Sequence, residues 1–276
     1  MPVRRRALLY HAMAATLGAS PVLARSGVKT KQRPTGHAQQ QAASLPLVVI
    51  DPGHGGKDPG CIGLSGTQEK TVVLALGQEL EHQLKAGGRY RVATTRNSDV
   101  FIPLIERVAI ARQHRAALFI SLHANAAPDH HASGACVYRF AYSASDAQAA
   151  AMARWENSAD RFGGPAFHDT SPEITHILTS LMRQETWRHS AELQTYLVDH
   201  LDDRVTMLPI AARHARFVVL SAPDIPSVLI ESGFLTNRSD EKLLTSKTHR
   251  RVLAEAMRRA VDRYFDTIGA AARGSG

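Results

Sequence analysis

Apolar residues in this chain fall into short unbroken runs, separated by longer stretches with a helical period. LPLVVI (45–50) is an apolar, β-branched run closed by Asp-Pro-Gly, which reads as a buried strand and a turn. Over 70–86, Val73, Leu76, Leu80 and Leu84 recur at helical spacing until Gly87-Gly88 stops the helix. YRVATT (90–95) is the next strand, and 103–115 carry Leu104, Val108 and Ala111 on one helical face. ALFISLH (117–123) is a continuous apolar strand, followed by ACVYRF (135–140). Residues 145–162 and 173–201 have helical patterns. The second opens on Ser171-Pro172-Glu173, which combines a capping hydroxyl, a first-turn proline and an acid favoured by the helix dipole. RFVVL (216–220) and SVLIES (227–232) read as further strands, and an amphipathic helix spans 248–265. Strands interleaved with helices predict an α/β fold whose sheet is covered on both faces.

Composition narrows the class. Of 276 residues, 44% are hydrophobic and 21% charged, which suits a globular chain rather than a disordered or multi-span membrane protein. Two cysteines cannot make a disulfide scaffold, whereas fourteen histidines keep metal chemistry open. The formal net charge is +8, but residues 1–44 hold seven Lys/Arg and no acid. Removing those seven leaves +1 for residues 45–276, so the folded part lacks the basic footprint of a nucleic-acid binder.

Residues 1–24 explain much of that charge. Arg4-Arg5-Arg6 precedes a short apolar stretch from Ala7 to about Gly18 and the small-residue ending Val22-Leu23-Ala24, the order of an export signal peptide. The stretch is shorter than the roughly 20 residues a membrane span needs, so no stable membrane insertion is expected. Paired arginines also fit the twin-arginine export route. Residues 25–44 have no apolar periodicity and read as a flexible linker. The expected location is the periplasm, where a cysteine pair can persist as a disulfide.

Three strand ends are unusually polar, and ligands of open α/β sheets sit beyond the carboxyl ends of strands. VVIDPGHGGKDPG puts His54 in a glycine-rich turn, FISLHAN puts His123 at a strand end, and VLIESGF does the same for Glu231. Glu69 opens the helix after the first loop. Two histidines and a carboxylate, with a second carboxylate nearby, suit a hydrolytic zinc site. Each residue also has a plainer reading: His54 as a turn residue, His123 as a core histidine, Glu69 as a first-turn helix acid. The glycine-rich turn lacks the GxxxxGK[ST] spacing of a phosphate cradle.

Taken together, VVIDPGHGGKDPG (48–60), Glu69-Lys70, TTRNSDVFIPLIERVAIA (94–111), LFISLHAN (118–125), WENSADRFGG (155–164) and PDIPSVLIESGFLTN (223–237) resemble the zinc-dependent N-acetylmuramoyl-L-alanine amidases of the Amidase_3 type, cell-division periplasmic subgroup. The likeness covers essentially all of 46–266. It implies a single domain over 45–268, with a mixed central sheet flanked by helices, and a disordered tail at 269–276. It implies one Zn2+ per chain held by His54, Glu69 and His123, with Glu231 as the catalytic carboxylate. The implied reaction cleaves the amide between N-acetylmuramic acid and L-alanine of peptidoglycan.

Residues 143–190 resemble a helical regulatory insertion that covers the metal cleft until a LytM-type activator displaces it. Within it, Glu156 and Asp160 are four apart and are read as a solvated acidic face. One carboxylate of the insertion could complete the zinc shell at rest, without a residue being assignable. Cys61 and Cys136 stand where the family pattern expects small residues. A Cys61–Cys136 disulfide and two buried free thiols are both open. No targeting domain precedes the catalytic one, so localisation is expected through the activator or the wall, and the protein is expected to be a monomer. A zinc carboxypeptidase-like hydrolase of wall peptides and a non-catalytic wall-binding regulator are the alternatives.

Overall fold

The computed structural model describes residues 45–163 and 184–274. The export segment, the linker and the Ser171–Glu173 helix start lie outside the described residues. Six strands and six α-helices follow one another along the described chain. β1 (Leu47–Pro52), α1 (Glu69–Ala86), β2 (Arg91–Thr94), α2 (Leu104–Gln113) and β3 (Leu118–Asn125) come first. β4 (Ala135–Phe140), α3 (Ala147–Asn157), a 3-10 turn (Ser158–Gly163) and α4 (Gln184–Asp202) follow. β5 (Met207–Ala215), β6 (Ser227–Phe234), α5 (Arg238–Thr245) and α6 (Lys247–Gly274) complete it.

The sheet order is β2-β1-β3-β6-β4-β5. β1 pairs in parallel with β2 and β3, and β3 with β6. β4 runs antiparallel to β6 and parallel to β5, so the sheet is mixed, as expected. Alternation along the strands divides the core. Val48, Ile50, Leu118, Ile120, Leu122, Val228 and Ile230 pack under α1, α4 and α6. Val49, Phe119, Leu229, Cys136 and Tyr138 pack under α2 and α3. β1, β3 and β6 are buried along their whole length, as unbroken apolar runs require of central strands.

Several expectations are corrected. RFVVL is not a strand: Val218–Leu220 form a short 3-10 turn buried in the second core cluster. The strand beside β4 is instead Met207–Ala215, a half-exposed sheet edge that tolerates Pro209. Its alternation is weak because residues 207–212 are exposed or half-exposed on both faces. α5 was not foreseen. Asn237 caps it by accepting from the N–H groups of Ser239 and Asp240. α6 continues to Gly274, so residues 269–274 are helical where a disordered tail was expected.

Cys61 and Cys136 are both free and buried. They belong to separate core clusters, and no disulfide joins them in this structure. The Cys61 thiol donates to the Ala124 carbonyl at 3.1 Å instead.

Candidate metal centre

β1 and β3 end at the same rim of the sheet, and the turn after β1 brings His54 over that rim. His54 has φ 58°, a left-handed conformation uncommon outside glycine. Gly55 and Asp58 exchange backbone hydrogen bonds (2.9 and 3.1 Å) that close the turn. Arg107 donates through Nη2 to the His54 carbonyl at 2.7 Å, and Arg96 donates to the carbonyls of Pro52 and Gly53. Two buried guanidiniums thus hold the strained turn from below. Gly60 (φ 69°) completes the loop. A Cβ there would stand 2.5 Å from Glu69 Oε2 and 2.7 Å from His54, so a side chain cannot enter between the two.

His123 is the residue opposite Glu231 in the β3/β6 register, so both side chains leave the same face of the sheet. Glu69 reaches them from the first turn of α1. Its Oε2 accepts from the Cys61 N–H and its Oε1 from the Ala124 N–H, both at 2.9 Å. Those two amides lock the carboxylate with Oε1 3.0 Å from His54 Nε2 and 3.1 Å from His123 Nδ1.

A fourth group comes from α3. Glu156 Oε2 lies 3.1 Å from His123 Nδ1 and 3.5 Å from His54 Nε2. One ligand atom from each of His54, Glu69, His123 and Glu156 falls within 4.8 Å of all the others, and all four residues are buried. Glu156 is therefore not on a solvated face, and neither is Asp160. The latter is buried and accepts from the Leu104 N–H at 2.8 Å, tying the 3-10 turn to the start of α2.

The donor set fits a zinc ion. His54 Nδ1 lies 2.8 Å from Asp58 Oδ2, which fixes the proton on Nδ1 and leaves the Nε2 lone pair free. Nε2 is buried without a hydrogen-bond partner, though carboxylate oxygens surround it. An imidazole nitrogen so placed is aimed at a shared centre rather than at any one neighbour. Electrostatics agree. Burial alone would lower His54, but Glu69 and Glu156 lift it to about 10. His123 is likewise lifted well above the usual histidine range against burial, chiefly by Glu156. Burial would raise Glu69, yet the two imidazoles hold it well below the usual carboxylate range. The cluster attracts positive charge, and a divalent cation would supply it in place of protons.

Glu231 differs. It is fully buried, and neither carboxylate oxygen has a hydrogen-bond partner. Burial pushes its carboxyl well above the usual range, and the neighbouring Glu156 and Glu69 push the same way.

A cavity of about 650 Å³ opens beside the cluster, with Glu69 and Glu156 in its wall. Its other walls are largely apolar, including Ala124, Ala126, Met152 and Phe234.

The structure brings together all four residues singled out from the sequence. Sequence reasoning missed Asp58, Arg107 and Arg96, and misplaced Glu156. Asp58 had a usable signal, being four residues past His54 in the same glycine-rich turn. For Glu156 the signal was only that a carboxylate of the insertion could complete the zinc shell; nothing local singles it out, because its partners are distant in the chain.

The pattern of the Amidase_3 family, N-acetylmuramoyl-L-alanine amidase, matches residues 48–263. AmiC of Neisseria meningitidis, named an N-acetylmuramoyl-L-alanine amidase, is 40% identical over 223 residues, which is 80% of this chain and 53% of that protein. AmiA of Salmonella typhimurium is 36% identical over 267 residues, 95% of this chain and 91% of its own length. The chain thus spans about half of the first relative and most of the second. The solved structure of AmiC2 from Nostoc punctiforme superposes with a TM-score of 0.56 at 29% identity, covering 80% of this chain and 97% of that one. A Clostridioides difficile CwlD amidase, solved in complex with the GerS lipoprotein, shares the fold with a TM-score of 0.60, 24% identity, and coverage of 80% and 99%.

Proposed function

The chain belongs to the N-acetylmuramoyl-L-alanine amidase family, and from that membership we propose that it hydrolyses the amide between N-acetylmuramic acid and L-alanine of peptidoglycan. His54, Glu69 and His123 would hold one zinc ion. The reading is carried by three ligand atoms converging next to the unpartnered carboxylate of Glu231. Zinc bound there would polarise the scissile carbonyl and make water a stronger nucleophile at neutral pH.

The protein's own groups do the rest. Asp58 holds the proton on His54 Nδ1, and the Cys61 and Ala124 amides hold Glu69 in one rotamer. Glu231 accepts the proton of the attacking water at a carboxylate oxygen and returns it to the leaving amine nitrogen. Its burial raises its proton affinity, which suits a group that must both take and give. Changing Glu231→Ala should leave zinc content intact and slow peptide release from purified sacculi by roughly 10²–10⁴-fold. Release at the wild-type rate would refute the assignment.

α3 acts as a plug. It belongs to the insertion at 143–190, and its Glu156 supplies a fourth donor where an incoming group would approach. Opening the site means withdrawing α3, and a LytM-type activator is the partner proposed to do so. Residues 1–24 direct export to the periplasm, by the twin-arginine route if the paired arginines are read, and 25–44 tether the domain. No helix among the described residues is long and apolar enough to cross a membrane.

A further inference from the structure

One buried charge takes no part in the chemistry above. Arg213 lies on β5, is only 7% exposed, and lines the same cavity as Glu69 and Glu156. Its Nε donates to the Ile210 carbonyl at 2.8 Å. Its Nη1 donates to Asp146 Oδ1 and to Gln148 Oε1, both at 3.3 Å, which is long for a charge-assisted bond. Nη2 donates to none of the described residues.

Both side-chain acceptors belong to the plug. Asp146 is the N-cap of α3 and Gln148 stands in its first turn. One helix therefore supplies both acids, Glu156 among the ligands and Asp146 against Arg213, which itself lines the cavity. Withdrawing α3 removes both at once. Arg213 would then stand in a largely apolar wall with two donor nitrogens unmatched, a costly state that an incoming anion relieves.

We propose that Arg213 binds a carboxylate of the substrate's peptide, and that Asp146 occupies that place while the plug is down. This rests on the amidase reading. A carboxylate is the matching chemistry because the guanidinium fork pairs with it in two parallel hydrogen bonds. A cation would be repelled there by the guanidinium itself.

The test uses synthetic muramoyl peptides in which each peptide carboxylate is replaced in turn by a carboxamide. Steady-state kinetics are measured on the zinc-loaded full chain carrying Glu156→Ala and Asp146→Ala, so that neither acid of the plug occupies the site. One amidated substrate should lose roughly tenfold or more in kcat/KM, mainly through KM. Adding Arg213→Gln should bring that ratio to near one, while Arg213→Lys should keep part of it. The ratio is taken within one variant, so a loss of folded protein cancels. Equal kcat/KM for every substrate before the Arg213 change overturns the proposal, and so does an unchanged ratio after it. Failure of every form to cleave any substrate overturns the amidase reading, and this assignment with it.

Discussion

Arg107 holds the floor of the metal turn, and replacing it with methionine would test how much. Its side chain is buried and donates to four acceptors: the Ile102 carbonyl (2.8 Å), Asp51 Oδ1 (2.9 Å), the Pro52 carbonyl (2.8 Å) and the His54 carbonyl (2.7 Å). Asp51 is fully buried, and its other side-chain partners are the hydroxyls of Thr95 and Ser121. Methionine keeps an apolar stem but strands the carboxylate. Pro52 retains its bond from Arg96, whereas the Ile102 and His54 carbonyls lose the guanidinium. Removing one partner of a buried pair costs about 3–5 kcal/mol. For a domain of this size that is a fall in Tm of roughly 6–20 °C.

The pH dependence has a definite sign. Burial alone would raise Asp51, but Arg107 and the two hydroxyls hold it below the usual carboxylate range. Its stabilisation is complete above the unfolded value of about 3.9 and fades as pH falls through the lower folded value. In Arg107→Met burial dominates, and the carboxyl is pushed up instead. The variant's deficit is therefore largest near neutrality and narrows toward pH 4, where Asp51 takes a proton. Thermal unfolding of the metal-free proteins by circular dichroism between pH 4 and 8 reads this directly. The double variant Asp51→Asn with Arg107→Met should recover part of the loss. A deficit under about 1 kcal/mol at pH 7, or one that widens with acid, would refute the reasoning.

Three further outcomes are expected. Asp58→Ala should weaken zinc binding roughly 10–100-fold in competition with a chromophoric chelator, because His54 loses the group that fixes its tautomer; unchanged affinity would remove Asp58 from that role. Glu156→Gln should raise the basal rate of peptide release about tenfold by weakening the plug's hold, and an unaltered or lower rate with full zinc content counts against the plug. Alkylating the denatured chain without reductant should add two adducts to its intact mass, since Cys61 and Cys136 are free thiols in separate core clusters. A mass short of both adducts and two hydrogens would mean that a disulfide exists.

Much of the domain was legible along the chain. Unbroken apolar runs mark β1, β3 and β6 because central strands bury both faces, and the periodic leucines of α1 mark its packed side. His54, His123 and Glu231 stood out because polar groups at the ends of such runs have no reason to be there unless something holds them. Local pattern failed where a residue's surroundings are made by distant parts of the chain. RFVVL has the composition of a strand, yet its apolar side chains fill the second core without sheet pairing. The edge strand β5 carries little alternation, and only its place beside β4 makes it a strand. Glu156 is the sharpest case. In the sequence it pairs at i, i+4 with Asp160 like a solvated acid, and it becomes a fourth donor only because α3 docks across a rim built by β1, β3 and α1. Periodicity records which side of an element is buried. What that side meets depends on contacts tens of residues away, so the pairing of Glu156 with His123 and of Asp51 with Arg107 was decided by the folded chain alone.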